Sequence, residues 1–209
     1  VILIANEVLD CLPARQFVRT EGGWAERRIG VTDDGDLTFG LTAISEGFDE
    51  PSLDIEPGQI LEISEQQAGF ARDLATLISQ TGGAALLIDY GRARPEAGDT
   101  LQALKRHTKV HPLEAPGEAD LTQWADYPLV LEAAVRSGAD VTGCITQAEF
   151  LGRLGIEHRA AALAAARPEA EPIIRRQFER LTSYDQMGQL FKVAAIFSPR
   201  SLIVPGFDA

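Results

Sequence analysis

Three kinds of apolar pattern run along this chain, and each predicts a different element. Val1-Ile-Leu-Ile-Ala5 is continuously apolar and stops at Asn6-Glu7. A run without polar interruption reads as a parallel strand buried on both faces, with its carboxyl end at a site. Residues 16–20, 24–31 and 37–44 are shorter strand-like segments, parted by Glu21-Gly22-Gly23 and Asp33-Asp34-Gly35-Asp36. Such turn residues supply positive φ and local side-chain hydrogen bonds, so these segments predict an antiparallel meander. Residues 48–58 read as loop, and 59–63 as one more short strand. From 66 to 80, Phe70, Leu74, Leu77 and Ile78 share one helical face, and Thr81-Gly82-Gly83 closes the helix. Residues 84–88 repeat the buried-strand pattern and end in Asp89-Tyr90-Gly91. A helix over 129–135, a strand over 139–146 and a closing strand over 190–197 follow the same logic. Between them, 148–181 is rich in alanine and arginine at helical spacing, broken by Pro168 and Pro172. The order of elements is that of an α/β protein with inserted β and helical pieces.

Composition narrows the function. Hydrophobic residues make up 45% of the 209, enough for a core. Nineteen basic residues against 31 acidic leave a net charge of −12. That balance argues against binding nucleic acid or an anionic membrane, which depends on clustered Lys and Arg. Cys11 and Cys144 lie far apart without metal spacing, as in a reduced intracellular protein. No Walker loop, G-x-G-x-x-G turn or G-x-S-x-G elbow is present.

Chemistry-bearing residues gather directly after the two apolar strands, where ligands collect in open α/β sheets. Asn6, Glu7 and Asp10 form the first cluster. If a helical turn follows the strand, Glu7 and Asp10 share a face and could grip a guanidinium or act as general base. A capped loop with a surface acid fits the same spacing. Asp89-Tyr90-Gly91 is the second cluster, with Asp89 at the strand's mouth; an ordinary strand-to-loop turn is the plainer reading. A polar connection carrying Asp99, Thr100, His107 and Asp120 resembles a binding lid. His107 and His111 are spaced for one helix face, but Pro112 follows and no third ligand is spaced to join them, so no metal site is expected. Cys11, Trp24 and Trp124 read as packing residues and His158 as a surface helical residue.

Several segments, taken in order, resemble the MidA-like family of S-adenosylmethionine-dependent methyltransferases, whose mitochondrial member is a protein arginine methyltransferase linked to respiratory complex I assembly. They are Ile4-Ala-Asn-Glu-Val-Leu-Asp-Cys-Leu-Pro-Ala-Arg-Gln-Phe17, Gly82-Gly-Ala-Ala-Leu-Leu-Ile-Asp-Tyr-Gly91 and Gly98-Asp-Thr-Leu-Gln-Ala103. His107, Pro116-Gly-Glu-Ala-Asp-Leu-Thr122, Thr146-Gln-Ala-Glu-Phe-Leu151, Leu154-Gly-Ile156 and Met187-Gly-Gln-Leu-Phe-Lys-Val193 complete the set. Two departures stand out. Val8-Leu9 replaces a pair of bulky aromatics, and Trp124-Ala-Asp-Tyr127 replaces a His-Val-Asp-Phe run, so Asp126 is kept and the histidine is not.

The resemblance implies a partial class I, Rossmann-like methyltransferase sheet, with a β-rich insertion over 13–65 and a helical lobe over 146–183. The family's glycine-rich cofactor loop, and the acid that would hold the cofactor ribose, do not occur in the sequence. Residues 1–6 and 84–88 then correspond to strands four and five, with strands one to three expected upstream, so that the chain is the carboxyl-terminal part of a longer protein and nearly inactive alone. The cofactor implied is S-adenosylmethionine, with Asn6 on its side. Glu7 and Asp10 are the expected catalytic pair. Gln16, Asp89, Tyr90, Asp99, Thr100, His107, Asp120 and Asp126 are assigned to the acceptor side. The partner implied is a protein substrate such as a complex I subunit, in the cytoplasm of a bacterium or the mitochondrial matrix of a eukaryote. A non-catalytic assembly protein and a small-molecule methyltransferase use the same fold and stand as alternatives.

Overall fold

A computed structural model describes residues 1–198 and 203–207 of the chain. Strand β1 (Ile2–Asn6) is followed by β2 (Arg15–Thr20), β3 (Gly23–Val31), β4 (Leu37–Thr42) and β5 (Ile60–Ile63). Helix α1 (Glu65–Thr81) leads into β6 (Ala84–Arg92), then β7 (Gln102–Lys105), β8 (Thr108–Val110) and β9 (Asp120–Thr122). The short β10 (Ala125–Asp126) runs into α2 (Tyr127–Arg136), and β11 (Asp140–Val141) and β12 (Ile145–Thr146) follow. Helices α3 (Gln147–Arg153), α4 (Ile156–Ala166), α5 (Glu171–Thr182) and the single turn α6 (Met187–Leu190) precede β13 (Phe191–Phe197).

The central sheet has the order β1-β6-β13-β11. β1 lies parallel to β6, with Ile2 opposite Ala84 and Asn6 opposite Ile88. β13 lies antiparallel to β6 on its other side, from Phe191 opposite Tyr90 to Phe197 opposite Ala84. α1 and α2 cover this sheet through Leu74, Ile78, Val130 and Ala134, which meet Leu87, Ala194 and Ile196 in one buried cluster. Full burial of each such aliphatic side chain contributes about 1.5–3 kcal/mol. α1 starts where the Ser64 side chain accepts the Gln67 N–H at 3.1 Å, and stops where Gly82 takes φ 73° and bonds back to the Ile78 carbonyl. A second sheet, β4-β3-β2-β5, has its own small core of Phe17, Ile55 and Leu61.

Five expectations need correction. β1 is not buried on both faces: Ile2 is 89% and Ile4 67% exposed, while Leu3 and Ala5 pack inward. Alternate side chains point to opposite faces, and among the described residues nothing covers the Ile2 side. β6 runs on past Ile88 to Arg92, because β13 continues beside it and β10 takes its other edge at Gly91 and Arg92. The single strand expected over 139–146 is two short pieces, both antiparallel to β13, with the Thr142 side chain accepting the Ala195 N–H between them. Pro172 does not break a helix but sits in the first turn of α5, where its missing N–H costs nothing. The buried face of α1 is Gln67, Ala71, Leu74 and Ile78, whereas Leu77 is 40% exposed.

Candidate functional site

The loop leaving β1 is built around one carboxylate. The Glu7 N–H closes the β1–β6 ladder on the Ile88 carbonyl at 3.0 Å, and Glu7 then adopts φ 52°, which turns the chain sharply. Left-handed backbone at a non-glycine residue is strained and persists where surroundings enforce it. Here the enforcement comes from Asp89, 1% exposed at the end of the apolar part of β6. Its Oδ2 accepts the N–H groups of Val8, Leu9 and Asp10 at 3.1, 2.9 and 3.2 Å, and its Oδ1 accepts the Tyr90 N–H at 2.9 Å. Burial, with the Asp10 charge added, pushes Asp89 up to about 7, against the pull of these N–H donors. The Gln67 side chain donates to the Leu9 carbonyl at 2.9 Å, and the Gln123 N–H to the Asp10 carbonyl at 3.0 Å. The loop is therefore fixed from α1, β6 and the segment before β10.

Asp10 itself is buried, and its Oδ2 accepts a hydrogen bond from the Tyr90 hydroxyl. Burial, then this bond, raises the Tyr90 hydroxyl above its usual range. Glu7 is exposed, with the Asn6 side chain donating to its Oε1 at 3.1 Å. Glu7, Asp10 and Cys11 border a cavity of about 860 Å³ that Tyr90, Phe191, Gln102, Asp120, Thr122 and Trp124 also line. Among the described residues, three carboxylates and no Lys, Arg or His contribute to its lining. A site of that composition attracts cations and offers carboxylates for charge-assisted hydrogen bonds. The aromatic rings of Tyr90, Trp124 and Phe191 add faces on which a flat cation can stack.

The residues expected at the site thus divide. Glu7, Asp10, Tyr90 and Asp120 come together on the cavity, with Asn6 beside Glu7 and Asp89 holding the loop from behind. Gln16, Asp99 and Thr100 belong to a separate buried network around Glu62 and Arg92. Glu62 accepts from Gln16 Nε2 at 2.8 Å, Thr100 N at 3.0 Å, Thr100 Oγ1 at 2.6 Å and Arg92 Nη2 at 3.0 Å. Asp99 takes both Arg27 Nη atoms, at 2.8 and 3.0 Å, and Gln16 Nε2 at 3.0 Å. This network ties the meander to the end of β6. Asp126 caps α2 by accepting the Leu129 N–H at 3.1 Å, and burial raises its carboxyl despite the Arg92 charge. His107 lies in the turn between β7 and β8 at φ 64°, exposed, and His111 follows β8. The two histidines flank a strand rather than sharing a helix face.

Several cavity residues were not anticipated as such. Cys11 is not a core residue: it is exposed on the cavity, its Sγ donating to the Val8 carbonyl at 3.1 Å. Gln102, Thr122 and Trp124 also line it; the first two lie within the polar connection between β6 and β10, a position that could have marked them.

Comparison with known proteins bears on what this arrangement serves. The chain is 33% identical to the Caenorhabditis elegans protein named "Protein arginine methyltransferase NDUFAF7 homolog, mitochondrial", over 96% of this chain and 48% of that protein. It is 36% identical to the Drosophila melanogaster protein of the same name, over 94% of this chain and 47% of that one. It spans about half the length of the curated relatives it matches. A Burkholderia thailandensis crystal structure bound to S-adenosyl-homocysteine superposes with a TM-score of 0.82 at 28% identity, over 100% of this chain and 54% of that one. A second structure from the same organism gives 0.84 at 28% identity, over 100% and 56%. The family model described as "Putative S-adenosyl-L-methionine-dependent methyltransferase" matches residues 1–145. On that match, covering more than half of its residues, the chain belongs to this methyltransferase family.

Proposed function

We propose that this chain is the acceptor-side part of an S-adenosylmethionine-dependent protein arginine methyltransferase. The observation that carries the reading is the cavity at the carboxyl ends of β1 and β6, with Glu7, Asp10 and Asp120 on its lining and no basic side chain among the described residues. The names of the curated relatives and the S-adenosyl-homocysteine in the similar crystal structure support it. The sheet of the whole protein continues beyond β1, a reading supported by the open outer edge and exposed Ile2 and Ile4. The main cofactor loop is not among these 209 residues, in which no G-x-G turn occurs.

Asn6, at the open end of β1 and hydrogen-bonded to Glu7, is the residue of this chain that would hold the cofactor. When bound, it supplies a methyl group on a sulfonium, an electrophile that needs an aligned lone pair and little else. The cavity fits such a cation, since the charged groups on its lining, among the described residues, are the carboxylates of Glu7, Asp10 and Asp120. Glu7 and Asp10 would orient the guanidinium nitrogen toward that methyl group and offset its positive charge. Tyr90 fixes Asp10 in place through its hydroxyl. The nitrogen then releases one proton, for which the exposed Glu7 is the open acceptor. The acceptor protein is taken to be a respiratory complex I subunit on the family resemblance. Of the two compartments expected, the relatives' names support the mitochondrial one and lend nothing to the cytoplasmic one.

Calorimetry with S-adenosylmethionine and S-adenosyl-homocysteine, on a version extended at its amino terminus to the relatives' length, tests the reading. Binding of neither ligand would end it. In that version Glu7→Gln should bind cofactor nearly normally and methylate about a hundredfold more slowly or worse. Undiminished methylation by the variant would remove Glu7 from the chemistry.

A further inference from the structure

Trp124 lies at a junction. It lines the acidic cavity, and it also lines two further clefts of about 530 and 460 Å³. Gln102 is shared between the acidic cavity and the first of these clefts, and Leu190 between the acidic cavity and the second. The two clefts share Arg92 and Glu96 with each other, so the three spaces form one branched groove around a half-buried indole. Charge changes sign along it. On the far side of Trp124 the linings bring Arg94, Lys109 and Lys192, in a chain whose net charge is −12. Arg92 is neutralised by Glu62, and Asp99 by Arg27, so neither sets the sign there. Glu149 caps α3, where it accepts from Thr146, and Glu96 is exposed, which leaves three cations, Arg94, Lys109 and Lys192, against these two carboxylates. Arg94 and Lys109 are exposed and form no ion pair among the described residues.

We propose that Trp124 is a specificity-determining residue that divides this groove, stacking on the acceptor arginine in the acidic arm while the flanking chain of the substrate lies past it, with an acidic residue held by Arg94 and Lys109. The inference rests on the acceptor reading given above and adds the sequence context of the arginine. A compact cationic metabolite would leave the basic arm empty; an extended peptide with arginine near glutamate or aspartate matches both arms. Charge complementarity of this kind suppresses wrong partners more than it raises affinity, so discrimination is its measurable signature.

The test measures binding of three labelled peptides to this chain by fluorescence polarisation: one arginine flanked by glutamates, the same arginine flanked by lysines, and the glutamate peptide with arginine changed to glutamine. The first should bind about tenfold more tightly than the second. Arg94→Glu with Lys109→Glu, both surface changes, should abolish or invert that preference. Trp124→Ala should weaken the first peptide several-fold and Trp124→Phe much less, with circular dichroism confirming that both variants fold. Cys11 gives a second readout, because it is exposed on the acidic arm whereas burial pushes the Cys144 thiol up to about 12. The first peptide should slow alkylation of Cys11. Arginine-dependent binding that ignores both flanking charge and Trp124 overturns this inference and leaves the acceptor reading standing. Equal binding of the glutamine peptide overturns both. Absence of any binding overturns this inference, and cofactor calorimetry on the extended protein then judges methyl transfer separately.

Discussion

Replacing Asp89 by asparagine should flatten the dependence of this protein's stability on pH between about 4 and 8. In the fold the Asp89 carboxyl is raised from 3.8 to about 7, first by burial and then by the Asp10 charge. A carboxyl raised in the folded state favours the protonated form there, so its contribution is fully present below about pH 4 and is lost as pH rises through about 7. The difference of roughly three pH units, at about 1.36 kcal/mol each, corresponds to about 4 kcal/mol across that window. The amide of the variant keeps one oxygen for the N–H groups of Val8, Leu9 and Asp10, but turns its NH₂ towards the Tyr90 N–H that Oδ1 now accepts. That mismatch costs about 1–3 kcal/mol at every pH. Urea unfolding across the window, with the variant's curve subtracted from the parent's, isolates Asp89 from Asp126, whose carboxyl is also raised. The parent should lead clearly near pH 5, and the gap should close or invert near pH 8. A gap that widens with rising pH would refute the reasoning, since it would mean the four N–H donors outweigh burial and hold Asp89 ionised.

Two further perturbations probe the scaffold behind the site. Arg92→Met should cost about 3–5 kcal/mol, by leaving the Glu62 carboxylate buried without its cation, whereas adding Glu62→Gln should recover a good part of that loss; additive losses in urea unfolding would argue against a coupled pair. Gly91→Ala would bring a Cβ within 2.2 Å of the Ala125 carbonyl oxygen, so it should cost about 1–3 kcal/mol and speed hydrogen exchange around β10. Unchanged exchange there would show that β10 does not depend on the close approach.

How far the molecule was legible follows from what one residue's neighbours reveal. The Ala84–Ile88 part of β6 was plain because an unbroken apolar run suits an interior strand, and it lies between β1 and β13 with Ala85 and Leu87 buried and Leu86 and Ile88 partly so. β1 carries the same signal but sits at an edge, and no local pattern tells an edge from a centre. Asp89 was found as a strand-end acid, but its work on the Val8, Leu9 and Asp10 amides depends on which strand lies next door. Glu62 and Gln67 left traces that can be read afterwards. Glu62 interrupts Ile60-Leu-Glu-Ile63, and Gln67 shares the helical spacing of Ala71, Leu74 and Ile78. A polar residue at an apolar position needs a buried partner. Trp124 looked like a packing residue because three separate segments must converge before it borders any cavity.

The placement of β13 against β6 has a consequence for synthesis. The last strand, with Val193, Ala194, Ala195 and Ile196 all buried, fills the interior slot between β6 and β11. Ninety-eight residues separate Arg92 from Phe191, so at about 5–20 residues per second a nascent chain carries β6 with that edge unpaired for about 5–20 s. Through that interval the acidic loop can form, because β1, β6 and α1 are already made, while the sheet that backs it cannot close. The growing chain therefore assembles its chemistry-bearing corner before its core, and is exposed to mispairing at the strand on which that corner rests.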